Sequence, residues 1–377
     1  MLEPLASQNV ADSAVLQAVA RAIGELRRGA PVVLHAGREA ALILAAEQVS
    51  DAGLAGLAAL TGGAPMLLLT GRRAAALGLA PSQPSATVVA LRIDDSPAAV
   101  VVDLADPAAG RSGGPGAALP VVTASPGLAA AAIDLCKLSR LLPAAVFAVV
   151  SPAPADPVPW AASHDILALG AGDVAEYRFA GARSLTRVAE ARLPLAQAEN
   201  ARIIAFRPGD GGIEHMALVI GEPRQESPVL VRLHSECFTG DLLGSLRCDC
   251  GDQLHGAIEA IAGAGSGVLL YLAQEGRGIG LVSKLRAYGL QDRGADTAEA
   301  NEQLGFDADE RIYLPAAEML RQLGFRRVRL LTNNPHKVAA LARCGISVED
   351  RVPHAFPSNG HNAFYLATKA ARFGHEF

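Results

Sequence analysis

Val229-Leu-Val-Arg-Leu-His-Ser-Glu-Cys237-Phe-Thr-Gly-Asp-Leu-Leu-Gly-Ser-Leu-Arg-Cys248-Asp-Cys250 begins as a strand and ends as a cluster of thiols. Residues 229–233 are a short apolar, β-branched run of the kind that forms a buried strand. Three of the chain's five cysteines follow, gathered into the fourteen residues 237–250. A set of three thiolates suits a soft or borderline divalent ion such as zinc. Three ligands leave the fourth tetrahedral position free for water, as in a catalytic site. His234, three residues upstream, would instead close the site as a fourth ligand and make it structural. Spacing alone leaves both arrangements open, and the residues that follow favour the open one.

Outward from this stretch, strand-like and helix-like segments alternate. Residues 253–262 read as a helix and 267–272 as a strand ending at Gln274-Glu-Gly-Arg-Gly-Ile-Gly280. Helices are expected at 281–290, 296–304 and 316–323. A strand at 327–331 empties into Thr332-Asn-Asn-Pro-His-Lys337, and a last helix is expected at 362–373. Such alternation argues for an α/β domain. In the first half, Val15, Ala18, Val19, Ala22, Ile23 and Leu26 mark a helix over 13–28, and 31–34 looks like a strand. Short apolar runs recur at 66–69, 87–91 and 100–102. Residues 107–120 read as a loop, 129–141 as a helix and 144–150 as a strand. Residues 151–160 hold four prolines and make a poor candidate for regular structure.

The chain has 377 residues, too many for one typical domain. The expected architecture is mixed α and β in two domains, 1–184 and 185–377. Half the residues are hydrophobic and 19% are charged, enough apolar material for buried cores. The net charge of −5 excludes a general nucleic-acid binder. Of the 33 Lys and Arg, 11 fall in residues 1–180 and 22 in 181–377, where cations are available to meet an anionic small molecule. Cys136 and Cys344 stand alone in apolar, helix-like surroundings. That pattern fits metal ligation in a reducing cytoplasm, not a disulfide framework. Met1-Leu-Glu-Pro has neither the basic start nor the apolar stretch of a targeting segment. The apolar run 141–150 contains Pro143 and is far shorter than the ~18 residues of a membrane span, so no membrane partner is expected.

Several further strings carry weaker signals. At the end of the strand 327–331, Asn334 can N-cap a helix that begins with Pro335, and the unpaired N–H groups there favour an anion. Thr332 and Lys337 can add a hydroxyl and a charge; an ordinary capped helix reads the same way. Glu275-Gly-Arg-Gly-Ile-Gly280 departs from the dinucleotide fingerprint, yet its glycines allow close backbone approach and Arg277 can meet a phosphate bidentately. Asp309-Glu-Arg311 pairs a carboxylate with a guanidinium, suited to proton transfer and charge stabilisation or simply to a solvated surface. Tyr288 alone reads as a packing residue.

Taken in order, these strings resemble GTP cyclohydrolase II of riboflavin biosynthesis from about residue 185 to the end. The resemblance rests on Arg187-Val-Ala-Glu-Ala-Arg-Leu-Pro194, Arg232-Leu-His-Ser-Glu-Cys237, 240–250 and Gln274-Glu-Gly-Arg277. It continues through Arg286-Ala-Tyr-Gly-Leu-Gln-Asp-Arg-Gly294, Asp296-Thr-Ala-Glu-Ala-Asn301, 304–311 and Leu330-Leu-Thr-Asn-Asn-Pro335. It implies that Cys237, Cys248 and Cys250 bind catalytic zinc (Zn2+). It implies GTP contacts at Arg232, Leu233, His234, Ser235, Glu236, Gln253, Glu275, Gly276, Arg277, Thr297, Thr332 and Lys337. Asp309 matches the family's proton acceptor, Arg311 its nucleophile or α-phosphate anchor, and Tyr288 an active-site tyrosine near the base.

The first half is similar to 3,4-dihydroxy-2-butanone 4-phosphate synthase. The similarity is carried by Gly24-Glu-Leu-Arg-Arg-Gly-Ala-Pro-Val-Val33, Leu42-Ile-Leu-Ala-Ala-Glu47, Leu69-Thr-Gly-Arg72 and Ala131-Ala-Ile-Asp-Leu135. The synthase's acidic loop is reduced here to His35-Ala-Gly-Arg-Glu-Ala-Ala41. Its metal-binding His-Thr-Glu aligns with Leu128-Ala-Ala130. A magnesium-dependent reaction on a sugar phosphate needs oxygen ligands and acid–base groups. An inactive, synthase-like α+β domain is therefore expected ahead of the α/β cyclohydrolase domain.

The function this implies is zinc-dependent hydrolysis of GTP to 2,5-diamino-6-ribosylamino-4(3H)-pyrimidinone 5′-phosphate, with release of formate and pyrophosphate. Magnesium (Mg2+) is expected with the triphosphate, and a homodimer in the cytoplasm is expected by resemblance. The alternatives are a non-catalytic GTP-binding regulatory protein and a related cyclohydrolase with a different product.

Overall fold

The computed structural model describes residues 3–79, 88–93, 96–109, 120–121 and 125–374. The chain begins with α1 (Glu3–Arg27), β1 (Val32–Ala36), β2 (Glu39–Ala45), α2 (Asp51–Thr61), β3 (Met66–Thr70), α3 (Gly71–Ala76), β4 (Val88–Arg92) and α4 (Ala98–Ala105). It continues with β5 (Pro120–Val121), α5 (Pro126–Leu138), β6 (Ala144–Val149), α6 (Pro157–Ser163), β7 (Leu167–Gly170), α7 (Ala171–Arg183), β8 (Thr186–Arg192), β9 (Ala201–Arg207) and β10 (His215–Ile220). Then come β11 (Val229–Ser235), α8 (Cys250–Gly263), β12 (Gly267–Leu272), α9 (Gly280–Gln291), α10 (Thr297–Gln303), α11 (Leu314–Gln322), β13 (Arg327–Leu331), α12 (Pro335–Arg343), β14 (Ser347–Val352) and α13 (Ala363–Phe373). The mixed α/β architecture with two sheets agrees with the sequence reading.

Two compact units divide the chain: Met1–Arg178 with Val282–Asp309, and Phe179–Leu281 with Glu310–Phe377. The expected division at 184 was a single cut. The contacts instead set the segment 282–309 with the first unit.

In the first unit the sheet order is β5-β4-β3-β6-β2-β1-β7, antiparallel except for β1 and β7. Alternate strand residues feed two cores. Val32, Leu34, Ile43 and Phe147 face α1 and α5, whereas Val33, Leu42, Leu44 and Val146 pack with Leu57 and Val101 from α2 and α4. The shortened acidic loop is a tight hairpin: Ala36 pairs with Glu39, leaving only Gly37, at φ 60°, and Arg38 in the turn. Leu128 and Ala129 are core residues of α5.

Two sequence expectations are corrected here. The apolar run 100–102 is helical, inside α4. Residues 157–160, read as irregular, open α6, because Asp156 caps the helix by accepting from Val158 N and Pro157 occupies the first turn, where a missing N–H is harmless. Of the expected loop 107–120, residues 110–119 lie outside the described residues.

The second unit has the sheet order β14-β13-β11-β12-β10-β9-β8. Its first four strands are parallel, and β10, β9 and β8 extend the sheet antiparallel. On β11, Val229, Val231 and Leu233 join one core and Leu230 the other. Period-two alternation puts Arg232 and His234 on the Leu230 face, which α8 covers. Both are buried there. The carboxyl ends of β11, β12 and β13 share one edge, where ligands bind in open α/β sheets.

Candidate active site

The three parallel strands empty into the strings singled out from sequence. After β11 comes the cysteine loop, which forms one π-helical turn, Phe238–Leu242, before α8 begins at Cys250. After β12 comes a tight turn at Glu275–Gly278, and after β13 Thr332 precedes the Asn334 cap of α12. Asn334 accepts from His336 N and Pro335 follows it, as the sequence predicted.

The thiols of Cys237, Cys248 and Cys250 converge, with all three Sγ atoms within 4.8 Å of one another. Cys237 Sγ and Cys248 Sγ are 3.8 Å apart. Zn–S bonds of ~2.3 Å in a tetrahedron require an S···S edge of about 3.8 Å, so the donor set fits zinc. Gly240 underlies the fit: a Cβ there would lie 2.8 Å from Cys248 Sγ, 2.9 Å from Cys250 Cβ and 3.0 Å from Cys237 Sγ. The Cys248 thiol is pushed up to about 11, first by its hydrogen bond with Cys237. Cys250 is pushed well above the usual thiol range by hydrogen bonds to Cys237 and then Cys248. Thiols packed this closely hold their protons, which a divalent cation displaces on binding.

His234 is held away from this cluster. Its Nε2 lies 3.1 and 3.0 Å from the two carboxylate oxygens of Asp241. Asp241 also accepts from Cys237 N at 3.0 Å and from the Tyr271 hydroxyl at 2.9 Å. Burial lowers the His234 pKa, the Asp241 hydrogen bond opposing it. With Nε2–H directed at Asp241, Nδ1 is left as an acceptor.

Arg232 is buried one pleat earlier. It donates to Leu331 O at 2.8 Å and to Gln253 Oε1, while Gln253 donates to Asp249. Burial lowers its guanidinium to about 10, Asp249 and Cys250 acting against that, and Arg311 stands close enough to lower it further. Among the described residues, Arg232 Nε and His234 Nδ1 are buried with no hydrogen-bond partner. Native interiors leave few such atoms unmatched, so these two are candidates for ligand contact.

Lys337 donates to Leu233 O at 3.0 Å, and Thr332 Oγ1 accepts from Asn334 N at 3.1 Å. Glu275 is buried and accepts from Phe238 N at 2.6 Å and from Gly276 N at 2.8 Å, tying the turn after β12 to the cysteine loop. Gly276 and Arg277 both have φ 62°. That conformation is uncommon for an arginine, and such strain concentrates at functional sites. Glu310 N donates to Arg277 O at 3.1 Å, which places Arg311 beside this turn. Ser235 accepts from Gln274 at 3.1 Å, and Glu236 is half-buried at the end of β11. The Leu233 side chain lies in the core, so only its backbone remains for a ligand contact.

Tyr288, Thr297 and Asp309 belong to the first unit. Tyr288 lies on α9 with Lys284 Nζ 5.7 Å from its ring centre, Thr297 opens α10 and accepts from Gln291 at 3.3 Å, and Asp309 is exposed. Sequence reasoning missed Gly240, Asp241, Asp249 and Tyr271. It also missed Tyr365 on α13, whose phenol is pushed well up by burial and then by the charge of Cys250. Asp241 and Asp249 stand inside the cysteine string, and a carboxylate between metal ligands was the available signal.

The family model for GTP cyclohydrolase II matches residues 186–353. The chain is 55% identical to the GTP cyclohydrolase-2 of Azospirillum brasilense over 97% of its own length and 95% of that protein's. It is 44% identical to the Riboflavin biosynthesis protein RibBA of Synechocystis sp. over 65% of this chain and 45% of that one. Among solved structures, RibBX, a two-domain 3,4-dihydroxy-2-butanone 4-phosphate synthase from A. baumannii, matches 90% of this chain and 99% of its own at 20% identity and a TM-score of 0.36. The near full-length identity to the Azospirillum protein decides the assignment: this chain belongs to the GTP cyclohydrolase II family.

Proposed function

We propose that the chain hydrolyses GTP at C8 of guanine and at the α-phosphate. The products are formate, pyrophosphate and 2,5-diamino-6-ribosylamino-4(3H)-pyrimidinone 5′-phosphate, in the first step of riboflavin biosynthesis. The observation that carries this reading is the convergence of three thiols beside buried, unmatched polar atoms at the carboxyl edge of the sheet. Zinc, held by Cys237, Cys248 and Cys250, supplies the Lewis acid that activates water for hydrolysis at C8.

The chain's own residues orient the rest. His234 Nδ1 accepts from the substrate, and Arg232 Nε donates to it. The strained Gly276–Arg277 turn brings the Arg277 guanidinium to the phosphates, where a planar fork binds bidentately. Thr332 and Lys337 complete the anion contacts at the start of α12. Arg311 stabilises charge at the α-phosphate, or attacks it. Asp309 moves the proton, and Tyr288 orients the base. Magnesium accompanies the triphosphate. The three free thiols suit a reducing cytoplasm, and the protein assembles as a homodimer.

Residues 1–184 make no dihydroxybutanone phosphate. The two-residue β1–β2 turn has no room for an acidic loop, and core residues of α5 stand where the synthase has metal ligands. Product analysis by mass spectrometry after incubation with GTP, zinc and magnesium tests the reading. Loss of formate and pyrophosphate from GTP is expected; intact GTP, or a retained formyl group, would overturn it.

A further inference from the structure

The string Leu69-Thr-Gly-Arg72 survives in a half that has lost the chemistry it resembles, and the structure gives it other work. Thr70 ends β3 and caps α3, accepting from Arg73 N at 3.3 Å. The same hydroxyl donates to Gly305 O at 2.7 Å, just past the end of α10. Arg73 is buried and donates to Leu104 O at 2.8 Å, to Asp103 O at 3.4 Å and to Gln303 O at 3.1 Å. One guanidinium thereby satisfies carbonyls at the C-terminal ends of both α4 and α10, groups that a helix leaves unpaired. Arg72 grips either side of the same turn, with Glu302 at 2.7 Å and Asp307 at 2.6 Å.

The fit is close in shape as well as in charge. Gly305 has φ 88°, and a Cβ there would lie 2.9 Å from Thr70 Oγ1 and 3.0 Å from Pro143 Cγ. A second grip lies further along: Arg286 on α9 pairs with Asp106 at 3.0 Å and Glu47 at 3.2 Å. The first half therefore holds the segment 282–309 at both helices, and this segment carries Tyr288, Thr297 and Asp309.

We propose that Thr70, Arg72 and Arg73 are positioning residues for the GTP reaction, fixing α10 and the turn after it so that Thr297 and Asp309 are correctly placed. The inference rests on the reading that those residues act on GTP. A displacement of about 1 Å at a reacting group lowers a rate by ~100-fold, so a remote clasp of this kind can set turnover.

The test uses the full-length, zinc-loaded protein with Thr70→Val, Arg72→Glu and Arg73→Lys. Thr70→Val keeps shape, and Arg72 forms a surface pair whose loss scarcely affects stability. Each variant should keep wild-type zinc content and nearly the wild-type melting temperature, yet lose roughly 10- to 100-fold in kcat/KM for GTP, with the loss persisting in kcat at saturating GTP. Adding Asp307→Arg to Arg72→Glu should restore most of the loss. Folded, zinc-loaded Thr70→Val and Arg72→Glu with wild-type kcat and KM would overturn the inference, whether or not Arg73→Lys folds. A wild type that leaves GTP intact would overturn the functional reading and the inference together.

Discussion

His234 Nε2 sits 3.0 Å from Asp241 Oδ2, and that bond separates the site's histidine from its thiols. The imidazole that sequence spacing offered as a fourth metal ligand is turned to a carboxylate instead. The thiol set stays at three, with one position open for chemistry.

Asp241 thereby becomes a prediction in its own right. It accepts from His234, from Cys237 N and from Tyr271, so it orients a ligand's backbone and a substrate-facing imidazole at once. In Asp241→Asn one accepting oxygen becomes a donor facing donors. Zinc affinity should fall about 10- to 100-fold, as for other groups that orient metal ligands. Competition against a chromophoric chelator measures it; unchanged affinity would contradict the role.

Gly240→Ala should be more damaging to the metal than to the fold. The added methyl would press on Cys248 Sγ at 2.8 Å and Cys237 Sγ at 3.0 Å, while the cores of the sheet lie elsewhere. Bound zinc after dialysis against a weak chelator should drop well below one per chain, with the circular dichroism spectrum retained. A full zinc complement would show that the thiols tolerate the methyl.

Acid should destabilise the second unit through His354. This imidazole is buried, bonds Gln253 O at 2.9 Å, and is lowered from 6.5 to about 4 chiefly by burial. A histidine with a depressed pKa binds fewer protons folded than unfolded. Its contribution is therefore intact above pH 6.5 and is lost as pH falls toward 4. The urea midpoint should decline over that window, and His354→Gln should flatten the decline. Equal pH slopes in both proteins would assign the acid sensitivity to other groups.

The legible parts of the chain were those whose signal is local. The alternation of β11, the cysteine spacing and the Asn334–Pro335 cap each need only neighbouring residues, and each is present. The strand β14 was missed because it is a polar edge strand. Its Glu349 and Asp350 pair with Arg327 and Arg329 on β13, so it shows no apolar alternation. Likewise β8 is exposed along its whole length. Asp241 as an acceptor for three donors, and the capture of 282–309 by the first unit, depend on partners far away in sequence. Thr70 and Gly305 are an example, and no period or cap announces such a pairing.

Arg311 separates the two halves of the proposed chemistry. It stands in electrostatic reach of Arg232 and beside the Arg277 turn. Arg311→Lys keeps the charge and loses the planar fork. Pyrophosphate release should fall by about 100-fold, the scale of one lost transition-state donor. Pyrophosphate and formate followed together in steady state check this, and wild-type rates for both would remove Arg311 from the reaction.

The central claim is that the three-thiol site holds the zinc that opens GTP. Its most direct test is formate release measured against bound zinc, in wild type and in Cys248→Ser. Wild-type activity should vanish on chelation and return in proportion to zinc restored, at one ion per chain, while Cys248→Ser should bind little zinc and release no formate. Near-normal formate release from metal-free Cys248→Ser would contradict the account.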